Sequence, residues 1–301
     1  MRIYLNRNWN FIEEFTEKLI TREVTSVLCE QVIIPHTVKE TPFHYFDESE
    51  YQMVSGYYRE LFVPEEWNGK NILLTFEGVA HTCEVYLNGE LIGEHYSGYT
   101  AFTMKLENLR YGEQNIVVVK VDSRESLNIP PFGHVIDYMT YGGIYRDVYL
   151  DVKDSVYMED VFLYSDLQSL YAVVTRNTSE VENVCQISLV EKGTESYEKI
   201  GQATLRKQEE KVSFSLPKVK LWDIDNPNLY DVKVELLKDN QVIDEKVVTF
   251  GFRKVEFKSD GFYLNDKKVK IRGLNRHQSY PYVGYAMSKS MQCMDADVLK
   301  E

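Results

Sequence analysis

The sequence predicts an all-β protein: one sandwich, then a second, then a short strand–loop–helix stretch at the chain's end. Three observations carry this. Short segments of alternating apolar and polar residues recur from Gly56 to Thr249, separated by turn residues, which is the pattern of stacked antiparallel sheets. Asn88-Gly89 sits between two such segments and marks a hairpin, because a type I′ turn needs positive φ at both central residues. Helical periodicity appears only after Ser288, an expected N-cap, with Met291, Met294, Val298 and Leu299 on one stripe.

The chain's 301 residues allow two ordinary domains and a remnant. Its 22 tyrosines and 14 phenylalanines against 8 prolines suit a packed β protein. A net charge of −13 argues against a nucleic-acid or anionic-membrane surface, which needs clustered Lys and Arg. No run approaches the roughly 18 apolar residues of a membrane span. The opening MRIYLNRNWNFIEEF has no apolar core of a signal peptide. Cys29, Cys83, Cys185 and Cys293 are too scattered for a zinc site or a disulfide framework and read as reduced thiols. A cytoplasmic location is expected.

Residues 1 to about 50 read as short apolar stretches and loops, with a strand at Val32-Ile33-Ile34 before Pro35. Strands are then expected at Tyr57–Val63, stopped by Pro64, and at Asn71–Phe76, Thr82–Leu87, Glu90–Gly93, Phe102–Leu106, Gln114–Val121 and Tyr145–Val152. This first domain is expected to cover 1–153. A second domain, 154–258, follows with strands at Val161–Tyr164, Leu170–Thr175, Val184–Leu189, Lys211–Leu216, Tyr230–Leu237 and Val242–Thr249. Lys238-Asp239-Asn240-Gln241 is the turn between the last two. Six or seven short strands suggest an immunoglobulin-like sandwich, without the Cys–Trp–Cys spacing of antibody domains. In 259–301 a hairpin precedes a strand at Val269-Lys270-Ile271, a polar loop and the Ser288 helix. A single βα unit has no core of its own, so the chain is expected to be the front of a longer protein.

Certain motifs carry a resemblance. Val85-Tyr86-Leu87-Asn88-Gly89, Ser97-Gly98-Tyr99-Thr100-Ala101-Phe102 and Gly142-Gly143-Ile144-Tyr145-Arg146-Asp147-Val148 occur in this order. Arg272-Gly273-Leu274-Asn275-Arg276-His277-Gln278, Pro281, Gly284 and Asp297-Val298-Leu299-Lys300 follow. Together they resemble glycoside hydrolase family 2, the family of β-galactosidases, β-glucuronidases and β-mannosidases. The resemblance implies a sugar-binding jelly-roll sandwich, an immunoglobulin-like sandwich and the first βα unit of a truncated TIM barrel, (β/α)8, that carries catalysis. It covers nearly the whole chain.

The activity it implies is retaining hydrolysis of a terminal β-D-galactoside. Galactose is favoured because Arg276 stands where the glucuronidase form usually has Lys. Retaining hydrolysis uses two carboxylates roughly 5–5.5 Å apart; the family supplies both from late barrel strands, so the chain alone is expected to be inactive and to hold no catalytic residue. The resemblance implies substrate-binding roles for Asp137, Asn275 and His277. A carboxylate such as Asp137 accepts two sugar-hydroxyl bonds with charge assistance; the plainer alternative is a solvated loop aspartate. His277 and Asn275 follow a barrel-type strand at the end where such loops build sites; the plainer alternative is that they brace the loop, as Arg276 also can. His36 is read as structural. His81, His95 and His134 have no partners at ligand spacing. Tyr96, Tyr99 and Phe102 read as packing residues. No cofactor or metal is expected in this chain, while Mg²⁺ or Na⁺ belongs to the intact family enzyme. The expected partner is a β-galactoside or related glycan. A homo-oligomer, or the missing barrel segment docked on Met291, Met294 and Val298, is the expected protein partnership. Two rival readings are a β-glucuronidase of the same family and a non-catalytic carbohydrate-binding module; the barrel-type tail argues against the module.

Overall fold

The computed structural model describes residues 1–21, 28–44, 47–133 and 138–301. In chain order its strands are β1 (Arg2–Tyr4), β2 (Trp9–Ile12), β3 (Glu30–Val32), β4 (Val54–Val63), β5 (Asn71–Phe76), β6 (Val79–Ala80), β7 (Thr82–Leu87) and β8 (Glu90–His95). Next come β9 (Phe102–Lys105), β10 (Glu113–Asp122), β11 (Gly143–Ile144), β12 (Val148–Lys153), β13 (Met158–Ser165), β14 (Ser169–Arg176), β15 (Asn183–Glu191) and β16 (Glu198–Leu205). The last are β17 (Glu209–Ser215), β18 (Tyr230–Lys238), β19 (Gln241–Phe250), β20 (Val255–Lys258), β21 (Gly261–Leu264) and β22 (Lys267–Val269), followed by the helix α1 (Lys289–Lys300). The fold is mostly β. The chain divides into two compact units: Met1–Val152 with Asn275–Glu301, and Lys153–Leu274.

In the first unit a four-stranded sheet, β1-β12-β5-β9, and a six-stranded sheet, β3-β2-β4-β10-β7-β8, share one core. Alternation explains which side chains enter it, since successive strand residues point to opposite faces. Ile72, Leu74, Phe76, Val148 and Leu150 come from the smaller sheet; Trp9, Phe11, Tyr57, Leu61, Val85, Val117, Val119 and Val121 come from the larger. Phe76 is fully buried and stacks on Phe102 at 5.1 Å. Each such side chain contributes about 1.5–3 kcal/mol by leaving water. A two-stranded ladder, β11-β6, pairs Gly143 with Ala80 and Ile144 with Val79.

In the second unit the sheets are β13-β14-β17 and β16-β15-β18-β19, with a short meander β20-β21-β22. Leu163, Leu170, Ala172, Val174 and Phe214 meet Cys185, Ile187, Val232, Val234, Leu236 and Phe252 in its core.

Turn chemistry sets the hairpins. Asn88 (φ 52°) and Gly89 (φ 95°) join β7 to β8, as the Asn-Gly pair predicts. Asp239 (φ 51°) and Asn240 (φ 61°) join β18 to β19, and Asn265 (φ 49°) and Asp266 (φ 64°) join β21 to β22. Asn and Asp tolerate this left-handed region because their short side chains bond locally.

The structure differs from the sequence expectation at several points. The first fifty residues hold three strands, β1 to β3, rather than one, and the third is Glu30–Val32 instead of Val32–Ile34. These strands are short and lie at or near sheet edges, so they show little period-two pattern. β16 went unpredicted for the same reason: it is an edge strand with mostly half-buried positions. The strand expected at Val269–Ile271 ends at Val269, where its pairing with β21 stops. The segment expected as one piece, 259–301, is shared between the two units. Ser288 caps α1 as predicted, its hydroxyl accepting from the Met291 amide at 3.4 Å.

Candidate functional site

The tail is tied to the first unit by a short, aromatic, glycine-punctuated segment. Tyr282 exchanges backbone hydrogen bonds with Thr41 at 2.8 and 3.3 Å, and Tyr280 does so with Gly284 at 2.9 and 3.1 Å. Gly284 has φ +55°, and a Cβ there would lie 2.4 Å from the Tyr141 ring, so only glycine allows the close approach. Tyr285 then enters the first unit's core. Its ring lies 4.7 Å from Tyr141, 5.6 Å from Tyr145 and 6.4 Å from Tyr99, and its hydroxyl donates to the Met139 carbonyl at 3.0 Å. The Tyr145 hydroxyl donates to the Gly98 carbonyl at 2.6 Å.

This packing explains the glycines of two sequence motifs. A Cβ on Gly142 would lie 2.1 Å from the Ser123 hydroxyl, and one on Gly143 (φ +113°) would lie 2.6 Å from the His36 carbonyl. A Cβ on Gly98 would lie 3.1 Å from Nδ1 of His81. Asn88 is more than a turn: its amide donates to Asn115 Oδ1 at 2.8 Å, and its carbonyl oxygen accepts from the Ile116 amide.

Of the predicted site residues, Asp137 lies outside the described residues, as does His134. Asn275 and His277 are exposed on the loop that precedes the Tyr282 anchor. The His277 ring meets the Tyr138 ring edge to face at 5.6 Å, and its carbonyl accepts from the Ser279 amide at 3.0 Å. Arg276 turns the other way. Its guanidinium holds the Asp295 carboxylate and donates to Gln292 Oε1 at 2.8 Å, bracing the loop against α1. No residue of α1 is buried, and Met294, Val298 and Leu299 are exposed.

The other histidines have structural surroundings. His36 Nδ1 lies 2.8 Å from the Tyr57 hydroxyl, and burial pushes its pKa down to about 4. His95 stacks on Phe102 at 4.1 Å. His81 is fully buried, with neither ring nitrogen partnered among the described residues; burial lowers its pKa against the opposing pull of Glu125 and Asp122. Sequence reasoning passed over Tyr138 and Tyr285 and read Tyr99 as packing. The hydroxyl of Tyr99 lies beside those of Tyr138 and Tyr285, and burial is the main cause of its raised pKa. The signal in the sequence was the density of tyrosine from Tyr280 to Tyr285 and beside Asp137.

Chemically, the exposed loop offers a hydrogen-bonding amide, Asn275, and an imidazole, His277, beside an aromatic wall. That suits a neutral polyhydroxyl ligand, whose hydroxyls bond such groups while its C–H face packs on rings. Among the described residues no three of His, Cys, Asp and Glu cluster as a metal ion would require. No helix among the described residues is long and apolar enough to cross a membrane.

Residues 30–154 match the model for the sugar binding domain of glycosyl hydrolases family 2, and residues 156–253 match the model described as glycosyl hydrolases family 2. A β-galactosidase of Thermoanaerobacterium thermosulfurigenes is 42% identical over 99% of this chain and 43% of its own length. A β-glucuronidase of Bacteroides fragilis is 31% identical over 99% of this chain and 44% of its own. The crystal structure of a putative β-galactosidase from Bacteroides fragilis superposes with a TM-score of 0.83 at 26% identity, over the whole chain and 48% of the other. The chain thus spans less than half the length of these relatives, and it belongs to glycosyl hydrolase family 2.

Proposed function

We propose that this chain is the N-terminal part of a retaining glycosidase that hydrolyses terminal β-D-galactosides. In this reading the first unit's sandwich is the sugar-binding jelly roll and the second is the immunoglobulin-like domain. The stretch 259–301 begins the catalytic barrel. The observation that carries the choice of sugar is graded identity: 42% and 38% to two β-galactosidases, against 30% and 31% to a putative and a named β-glucuronidase, each over nearly the whole chain. The same grading keeps β-glucuronidase as the second reading.

Within this proposal the chain's residues bind and orient the sugar. Asn275 donates and accepts through its amide, and His277 bonds a sugar hydroxyl through a ring nitrogen. Asp137 accepts hydroxyl bonds as a carboxylate. The nucleophile and the acid/base, two carboxylates roughly 5–5.5 Å apart, come from the remainder of the longer protein. A reducing cytoplasm is the proposed location, in keeping with Cys83 and Cys185, whose thiols burial pushes up to about 12.

The test is hydrolysis of nitrophenyl β-D-galactoside and β-D-glucuronide by this chain, alone and mixed with a separately expressed barrel segment. Silence alone with galactoside hydrolysis on mixing is the expected result. Activity of the chain alone overturns the assignment of the carboxylates to the remainder. Preference for the glucuronide overturns the sugar.

A further inference from the structure

We propose that Tyr138 is a positioning residue for His277: its ring holds the exposed imidazole at one orientation on the candidate site. The functional meaning rests on the proposed sugar contact of His277; the geometry does not.

His277 has little else to hold it. It is exposed, and its loop lies between Leu274, also exposed, and the first anchored residues of the tail. An exposed imidazole samples several rotamers, and fixing one costs side-chain entropy that a useful binding group must not lose again on each encounter. The Tyr138 ring, at 5.6 Å and 78° to the imidazole, supplies an edge-to-face contact that restricts it. Such an edge-to-face contact is enough to bias a rotamer population severalfold.

Tyr138 is itself held. It is half-buried, and its hydroxyl lies beside that of Tyr99. The Tyr99 hydroxyl also adjoins that of Tyr285, which in turn bonds the carbonyl of Met139, the residue after Tyr138. The tail's own anchor, Tyr285, and the wall facing its loop, Tyr138, are thereby joined through Tyr99. The ring that orients the histidine and the tyrosine that anchors the tail thus lie around the same side chain, Tyr99. Sites whose supporting groups are locked in this way keep their geometry, whereas an unsupported group drifts.

The experiment is NMR of the chain with labelled histidine, the His277 signal being assigned by its loss in His277→Gln. A nearby aromatic ring displaces the imidazole proton shifts, and Tyr138→Leu is expected to abolish that displacement. Tyr138→Phe, which keeps the ring, is expected to restore it. Tyr99→Phe, which removes the hydroxyl beside both tyrosines, is expected to reduce it in part. The signals of His36 and His95, which sit elsewhere in the unit, report that each variant is folded and are expected not to move. His277 shifts that are the same in Tyr138→Leu as in the parent overturn the proposal. Titration of the parent with methyl β-D-galactopyranoside separates the two ideas. Absence of any sugar response alongside the expected ring displacement removes the proposed sugar contact and leaves the positioning intact.

Discussion

The two units are built from the same kind of sheet and differ in how evenly their strands run and in where the histidines lie. The second unit is regular. Its strands run seven to ten residues in both main sheets, its hairpins turn on Asn and Asp, and its buried Arg176 is held by the Val181 and Lys207 carbonyls and by Asn183. The first unit interrupts its sheets with long loops and buries His81 without a hydrogen-bond partner among the described residues; contacts that crowd out a Cβ occur in both units, at Gly143 and Gly284 in the first and at Gly201 and Gly251 in the second. All six histidines, 36, 44, 81, 95, 134 and 277, fall in the first unit's sequence, and none lies between 153 and 274. Local departures from good folding rules concentrate at functional sites. Both units carry such departures, so what sets the first apart is that its sequence holds the histidines and the candidate site.

The largest expected effect pits two glycines of like backbone against each other. Gly143 has φ +113° and Gly193 has φ +94°, but a Cβ on Gly143 would press on the His36 carbonyl and the Tyr57 hydroxyl, whereas one on Gly193 meets nothing within 4 Å. Gly143→Ala therefore combines backbone strain with overpacking and is expected to cost about 4 kcal/mol. Gly193→Ala carries the strain alone, about 1–2 kcal/mol. Urea unfolding followed residue by residue measures both. Equal losses would mean that the crowding around Gly143 relaxes away.

Next is the most deeply buried ion pair among those described, Lys153 with Asp244 at 2.6 Å in the second unit. Asp244 Oδ2 also accepts from the Met158 amide at 2.9 Å. Asp244→Ala strands a buried ammonium and an amide, so a loss of about 3 kcal/mol is expected in the second unit's stability. Replacing both partners by neutral groups, Lys153→Met with Asp244→Asn, which keeps an acceptor for the Met158 amide, is expected to recover most of that loss. A double variant as unstable as the single one would show that the pair's shape, rather than its charge, is what the unit needs.

Acid sharpens the contrast further. The folded first unit holds His36 at a pKa of about 4, against about 6.5 when unfolded, and His81 is shifted the same way. Between those values the unfolded state binds more protons, so the stabilisation is complete above about pH 6.5 and is lost as pH falls toward 4. The first unit is expected to lose on the order of 2 kcal/mol by pH 5 through His36, and His36→Phe is expected to flatten the slope. The second unit, with no histidine, is expected to hold its stability over pH 7 to 5. A parallel decline in both units would refute a histidine origin.

How much of this was legible beforehand follows the same division. Alternation and turn residues marked nearly every strand of the second unit, because a regular sheet with one buried face writes its period into the chain. The exceptions, β16 and β20, are edge strands whose exposed and half-buried positions blur that period. In the first unit the longer strands β4, β5, β7, β8, β9 and β10 were readable, while β1, β2, β6 and β11 were not. They are two to four residues long, too short to show a period, and are held by partners far away in sequence, as Arg2 is by Asp151. At the site, Asn275 and His277 could be named through the family resemblance. The tyrosines around them could not, because Tyr99, Tyr138 and Tyr285 come together only through tertiary packing.

The smallest effect concerns the tail, where sequence and structure agree most directly. Ser288 stands before α1 with extended backbone, and its hydroxyl accepts from the Met291 amide, one of the amides a helix start leaves unpaired. Ser288→Ala is expected to cost about 1 kcal/mol of helix stability, while Ser288→Asp, which keeps an acceptor and adds a favourable charge at the positive end of the helix, is expected to cost nothing. Because α1 buries no residue, little tertiary packing masks the loss. Amide exchange across Met291–Lys300 should then speed up in the alanine variant while exchange in the anchored Tyr282–Tyr285 segment stays unchanged. If the anchor loosens together with the helix, the brace from Arg276 to Asp295 and Gln292 transmits the fraying, and the tail is a single cooperative piece rather than a firm anchor followed by a marginal helix.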